Sequence, residues 1–89
     1  MPKANAFATI ERVQTGVRLE KRILKVLKAL ADMKDVTLGD LIEGIALHAF
    51  EGKVPFGQET LTQIQALKKA FSLDLDATAS HRLRDAEEH

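Results

Sequence analysis

The chain has 89 residues, no cysteine, 45% hydrophobic residues and a formal net charge of zero. This length suffices for one small domain, and the lack of cysteine excludes disulfides and cysteine-ligated zinc as ways of stabilising it. No apolar run approaches the roughly 18 residues that span a bilayer, and the N-terminus lacks the apolar stretch of a secretory signal. We therefore expect a soluble, cytoplasmic protein that does not associate with membranes.

The zero net charge conceals an uneven distribution of charge along the chain. Residues 1–28 contain seven basic and two acidic side chains, a net charge of +5, and the remaining 61 residues balance it with −5. A local field attracts a charged partner more strongly than the sum over the chain does. The N-terminal third is therefore a candidate surface for an anionic partner, although a solvated helix face beside a tail would give the same distribution.

Residues 1–10 show no periodicity and are interpreted as a flexible arm. From residue 12 to 19 the side chains alternate, which predicts a half-buried strand. No other segment has a strand pattern, so the backbone of this strand needs a second copy of the chain as its partner. We therefore expect a homodimer joined by two antiparallel strands. One strand face would carry Val13, Thr15, Val17 and Leu19 towards the core, and the other would carry Arg12, Gln14, Gly16 and Arg18 outwards.

The remainder of the chain has helical periodicity. Thr37 is placed as the N-cap of the second helix, with Asp40 in its first turn, and Gly52 as the residue that stops it. Asp76 is placed as the N-cap of a short last helix. Four helices are predicted, over about residues 20–35, 38–51, 58–72 and 76–85. Apolar spacing predicts the first three, and the Asp76 cap predicts the last.

The sequence gives little support for an enzyme. It contains no serine in a recognisable nucleophile context and no glycine-rich phosphate loop. The three histidines, His48, His81 and His89, lie far apart and have no partner at metal-ligand spacing. We expect no catalytic activity, no metal site and no cofactor.

Two stretches, Gly16-Val-Arg-Leu-Glu-Lys-Arg22 and Val36-Thr-Leu-Gly-Asp-Leu-Ile42, resemble the ribbon-helix-helix family of DNA-binding proteins, the MetJ/Arc superfamily. The resemblance covers about residues 11–51. It implies an obligate homodimer whose antiparallel ribbon enters the major groove of double-stranded DNA. It also implies base contacts from Gln14, Gly16 and Arg18, and a phosphate anchor at Thr37, Leu38 and Gly39.

Elementary chemistry agrees with several of these assignments. Arginine can bond a guanine edge through two hydrogen bonds, glutamine can do the same with adenine, and a helix N-terminus offers free amides to phosphate. Arg12, Lys21 and Arg22 would attract the DNA backbone. Two positions depart from the family pattern. Gly16 removes one reading side chain, and Glu20 stands where the family often has Ser, Asp or Pro.

The predicted fold class is mainly α, a ribbon-helix-helix homodimer with an intermolecular two-stranded antiparallel ribbon and a C-terminal helical extension. The predicted divisions are a flexible arm at 1–10, the ribbon-helix-helix domain at 11–52 and the extension at 53–89. The expected function is sequence-specific DNA binding by a dimeric transcriptional repressor. The alternatives are an antitoxin whose C-terminal segment binds a toxin, and a dimeric interaction module without DNA binding. The extension would either pack on Leu47 and Phe50 of its own dimer or bind a protein partner.

Overall fold

The computed structural model describes residues 7–86, so most of the predicted arm, and the last three residues, lie outside the described part of the chain. The three long predicted helices are confirmed to within about two residues at their ends. The fourth prediction, a helix over 76–85, is wrong, because only one short 3-10 turn forms there. The elements are α1 at Lys21–Met33, α2 at Leu38–Phe50, α3 at Gln58–Ala70 and the 3-10 turn at Ala77–Ala79.

The main feature that was predicted wrongly from the sequence is the intermolecular ribbon. Residues 7–20 are extended but form no strand, and residues 7–86 contain no sheet. No backbone hydrogen bond joins residues 7–19 to any other described segment. Val13 and Val17, which were expected to face a core, are 84% and 73% exposed. The ribbon-helix-helix assignment is therefore wrong, and the structure supports only a mainly helical class.

The physical reason for this error is that side-chain alternation is a property of any extended segment. It does not depend on whether a neighbouring strand is present. Within one chain the segment from residue 12 to 19 has no such neighbour, so its backbone groups face water instead of a ladder. The alternation is thus present without the half-buried strand, or the sheet, that it was taken to predict.

The first helix is capped by Glu20, the residue that departed from the family pattern. Its carboxylate Oε1 accepts hydrogen bonds from the backbone N–H groups of Arg22, at 2.8 Å, and Ile23, at 2.9 Å. Glutamate is an uncommon N-cap, but here it satisfies two free amides of the first turn. The second helix begins as predicted, because Thr37 Oγ1 accepts the N–H of Asp40 at 3.0 Å.

All three α-helices end in the same backbone arrangement. The second residue after each helix has a positive φ, 59° at Asp35, 71° at Gly52 and 56° at Ser72. The next amide then bonds back five positions, as in Lys53 N–H to His48 O at 2.9 Å. This is the Schellman type of helix end, and it favours glycine. Only α2 has glycine there, as the sequence predicted.

The core lies where α1 meets α2 on one side and α3 on the other. Few side chains are buried, and they come from α1 and α2: Val26, Leu30, Ala31 and Leu41. The C-terminal extension contributes partly buried side chains to the same cluster, namely Phe56, Ile64 and Leu67. The extension therefore packs on the core formed with α1. It leaves Leu47 and Phe50, the packing site in one of the two alternatives, 64% and 81% exposed.

Candidate nucleic-acid interface

The extended segment crosses the first turns of α2 and is tied to that helix by Arg12. The Arg12 guanidinium donates two hydrogen bonds to the Glu43 carboxylate, Nε to Oε2 and Nη2 to Oε1, each 2.8 Å long. Hydrogen bonding and the charge of Arg12 hold the pKa of Glu43 below its ordinary value. A groove of about 720 Å³ remains between the segment and the apolar side chains of Leu24, Leu38 and Ile42. Arg12, predicted to contact the DNA backbone, is thus already paired within the chain.

The three predicted base-contacting positions are all exposed on the extended segment. Gln14 lies two positions before Gly16, and Arg18 lies two positions after it. A Cβ atom placed on Gly16 would have no other atom within 4 Å. Arg18 Nη2 lies 2.6 Å from Asp85 Oδ2, a residue of the C-terminal segment. The structure therefore leaves this face open, with one intramolecular ion pair at Arg18.

Arg22 has a structural role that the sequence did not reveal. Its Nε donates to Glu20 Oε2 at 2.9 Å, and its Nη1 donates to Ser72 O at 2.9 Å and to Asp74 Oδ1 at 3.1 Å. The hydrogen bond to Glu20 and the charges of Glu20 and Asp74 raise the pKa of Arg22. These contacts fasten the start of α1 to the connection after α3. Positions 22 and 74 come together only in the tertiary fold, and no local sequence pattern indicates their contact.

A row of three lysines forms the open cationic surface of α1. Lys21, Lys25 and Lys28 follow the i, i+4, i+7 spacing that places side chains on one helix face, and all three are exposed. Among residues 7–86 no carboxylate lies within 4 Å of these ammonium groups. Lys25 Nζ lies 5.9 Å from the centre of the Phe71 ring. We call these three residues the lysine row. Lys21 was predicted as a backbone contact, and the same spacing could have identified Lys25 and Lys28.

The predicted phosphate anchor at Thr37, Leu38 and Gly39 lies at the start of α2, as expected for a helix N-terminus. Thr37 and Gly39 are exposed, and a Cβ at Gly39 would meet nothing nearer than Thr37 Oγ1 at 4.0 Å. The first two turns also carry the carboxylates of Asp40 and Glu43. The negative charges of these carboxylates oppose the binding of a phosphate at this end of the helix. The phosphate anchor therefore remains a prediction, at a site whose local charge is unfavourable.

The extended segment and the lysine row are neighbours in sequence, with only Glu20 between Leu19 and Lys21, and both carry exposed polar or charged side chains. No family model, no curated protein and no solved structure matches the chain. Across residues 7–86, no helix has the length and apolar character needed to cross a membrane.

Proposed function

We propose that the protein binds double-stranded DNA as a homodimer and acts as a transcriptional regulator in the cytoplasm. The observation that carries this proposal is the lysine row, a set of exposed cations without carboxylate partners among the described residues. It directly follows an extended segment that exposes Gln14 and Arg18. Phosphate attraction and base contacts would thus come from adjoining parts of one surface.

The spacing of the lysine row suits a DNA backbone. Lys21 and Lys28 are separated by seven residues, a rise of about 10 Å along α1. A duplex carries one negative charge for about every 1.7 Å of its axis, so this length faces several phosphates. Each phosphate that a lysine neutralises releases counterions, and the affinity then falls steeply as salt is added.

Base contacts would come from the exposed side chains of the extended segment. Arg18 suits guanine and Gln14 suits adenine, because each can form two hydrogen bonds with the edge of its base. Gly16 between them has no other atom within 4 Å of the position that a Cβ would take, and the missing side chain lets the backbone approach a DNA groove closely. Contact by an extended segment needs no sheet within the chain.

The exposed side of α2 supports the homodimer. At 100° per residue, its apolar side chains opposite the core lie within about 140° of one another. A helix that is apolar on nearly every side is normally covered, and a chain of this size buries too little surface to be stable alone without help. A second copy would supply the missing cover. The side chains concerned are Ile42, Ala46, Leu47 and Phe50.

Fluorescence anisotropy with a labelled mixed-sequence duplex tests the DNA interaction. Between about 50 and 200 mM salt, we expect log affinity to fall linearly with log salt concentration. Replacing the whole lysine row with glutamine should reduce the slope by about one for each phosphate that the lysines neutralise in the parent protein. Lys69→Gln, at an exposed lysine of α3, is the control for removal of a positive charge elsewhere on the surface.

A different class of function remains as the competing hypothesis. The exposed apolar side chains at the end of α2, Leu47 and Phe50, and Val54 beyond it, favour a protein-interaction module. Such a module would give no salt-sensitive binding to the duplex even at low ionic strength. That result would contradict the DNA-binding proposal and favour the interaction module.

A further inference from the structure

The C-terminal segment approaches the basic start of α1 at three successive places. Asp85 pairs with Arg18, the Ser72 carbonyl and Asp74 carboxylate bind Arg22, and the Phe71 ring lies beside Lys25. Each contact on the α1 side is made by a cation. At Arg18 and Arg22 the segment supplies oxygen acceptors, the kind of group that a DNA phosphate would offer to the same guanidinium groups.

We infer that Asp85 is a displaceable anionic cover over Arg18, which competes with DNA for this side chain. The inference rests on the proposed function, since it assigns Arg18 to the DNA surface. In the free protein Asp85 would hold Arg18, and on binding a phosphate or base edge would replace Asp85. The cover would lower affinity for weak, non-specific DNA and be displaced at a site that engages Arg18 fully.

The two ends of the C-terminal segment differ in how firmly they are held. At Arg22 the guanidinium has three acceptors and is only one-third exposed, so this contact is part of the fold. At Arg18 there is a single ion pair, and its side chains are 89% and 74% exposed. The firm contact therefore anchors the segment, and the exposed one can open without disturbing α1.

The backbone beyond the 3-10 turn has little to hold it in place. Arg82 N–H bonds to Ala79 O at 2.9 Å, and among residues 83–86 no further backbone hydrogen bond is made to other described residues. Leu83 remains half exposed, and an open cavity of about 320 Å³ beside the Arg18–Asp85 pair is lined by Leu19 and Leu83. Loose packing of this kind allows local opening at small cost.

The size of the effect follows from the exposure of the pair. Exposed ion pairs are weak and screened by salt, so removal of the cover should improve DNA affinity by only about two- to fivefold. The improvement should shrink as the salt concentration rises. A much larger effect would require a buried contact, which the Arg18–Asp85 pair is not.

The first experiment compares DNA affinities at low salt in full-length variants. Asp85→Asn should bind the mixed-sequence duplex about two- to fivefold more tightly than the parent. Glu59→Gln, which removes one exposed carboxylate from α3, should change affinity by less. In an Arg18→Ala background, Asp85→Asn should not improve DNA affinity, because Asp85 then has no Arg18 side chain to cover. This double-mutant cycle isolates the part of the effect that depends on the Arg18–Asp85 pair.

The second experiment follows the segment itself. The chain has no cysteine, so Ala86→Cys gives a single attachment point for a nitroxide label. In the free protein we expect the label to broaden the amide signals of Arg18 and Leu19, and in the presence of the duplex this broadening should disappear. Equal affinities together with persistent broadening would overturn the inference while leaving DNA binding intact. Absence of duplex binding in every variant would overturn the proposed function as well.

Discussion

Arg12 and Glu43 join the extended segment to α2 through a two-point contact across 31 positions of sequence, with both hydrogen bonds 2.8 Å long. The segment has no backbone hydrogen bonds to the remainder of the described chain, so this contact is its main polar attachment to α2. Gln14 lies two residues further along, so we expect its position to depend on this contact. A surface that reads DNA would need this kind of attachment to hold its side chains in one place.

Glu43→Gln should loosen the extended segment without unfolding the helices. We expect lower backbone order in residues 11–19 by NMR relaxation and little change in the melting temperature, because both partners are exposed. Glu51→Gln removes the 3.4 Å contact with Lys53 and serves as the control. Unchanged order in residues 11–19 of Glu43→Gln would show that the apolar groove alone positions the segment.

Glu20 should make the stability of α1 depend on pH. The hydrogen bond from the Ile23 N–H lowers the pKa of Glu20 from its ordinary value of 4.5, and contacts with Arg22 lower it further. A carboxylate with a lowered folded pKa stabilises the fold above its unfolded pKa, and the contribution is lost as pH falls through the folded value. We expect Glu20→Gln to have a lower melting temperature than the parent at neutral pH. Below pH 4.5 its melting temperature should fall less steeply than that of the parent. If the melting temperatures of Glu20→Gln and Glu59→Gln fell equally steeply below pH 4.5, this role of Glu20 would be contradicted.

Ser72→Gly should stabilise the protein. Ser72 has a φ of 56°, in the left-handed region where a side chain costs about 1–2 kcal/mol. Glycine avoids this strain, but its greater freedom in the unfolded chain costs about 0.5–1 kcal/mol of stability. The free energy of unfolding should therefore rise by about 0.5–1 kcal/mol. Denaturant unfolding measures it. Ser80→Gly is the control, because Ser80 has an ordinary φ of −58° and should gain nothing.

The exposed side of α2 should mediate self-association. Phe50→Lys should shift the protein from dimer to monomer in sedimentation equilibrium, because a charge cannot be buried between two copies without a partner. Phe7→Lys, at a phenylalanine that is 95% exposed against 81% for Phe50, is the control. The melting temperature of the parent should rise with protein concentration. A parent chain that sediments as a monomer would contradict the homodimer.

Local signals predicted the helices well because their causes are local. The Thr37 cap, the Gly52 stop and the apolar spacing of α1 each act within a few residues. The strand was mispredicted because pairing is non-local and alternation does not provide a partner. The last helix failed because the Asp76 cap had no apolar stripe after it to bury, and a cap alone does not sustain a helix.

The candidate site was predictable only in part, for the same reason. Gln14, Gly16 and Arg18 are exposed, as the alternation predicted, but the face expected to be buried is exposed as well. The lysine row follows from helical spacing. Arg12, Arg18 and Arg22 each pair with a carboxylate 31 to 67 positions away in sequence, and no local pattern indicates these long-range partners. Charge counting therefore overestimated how many arginines are available to an anion.

The most direct test is a binding-site selection from random DNA duplexes with the purified parent protein and Arg18→Ala. For the parent we expect an enriched, two-fold symmetric sequence, as a homodimer with base-contacting side chains requires. Arg18→Ala should retain salt-sensitive binding to DNA but lose part of the enrichment, corresponding to about 1–3 kcal/mol at the guanine position. Recovery of no duplex above background at low salt would contradict DNA binding by this protein.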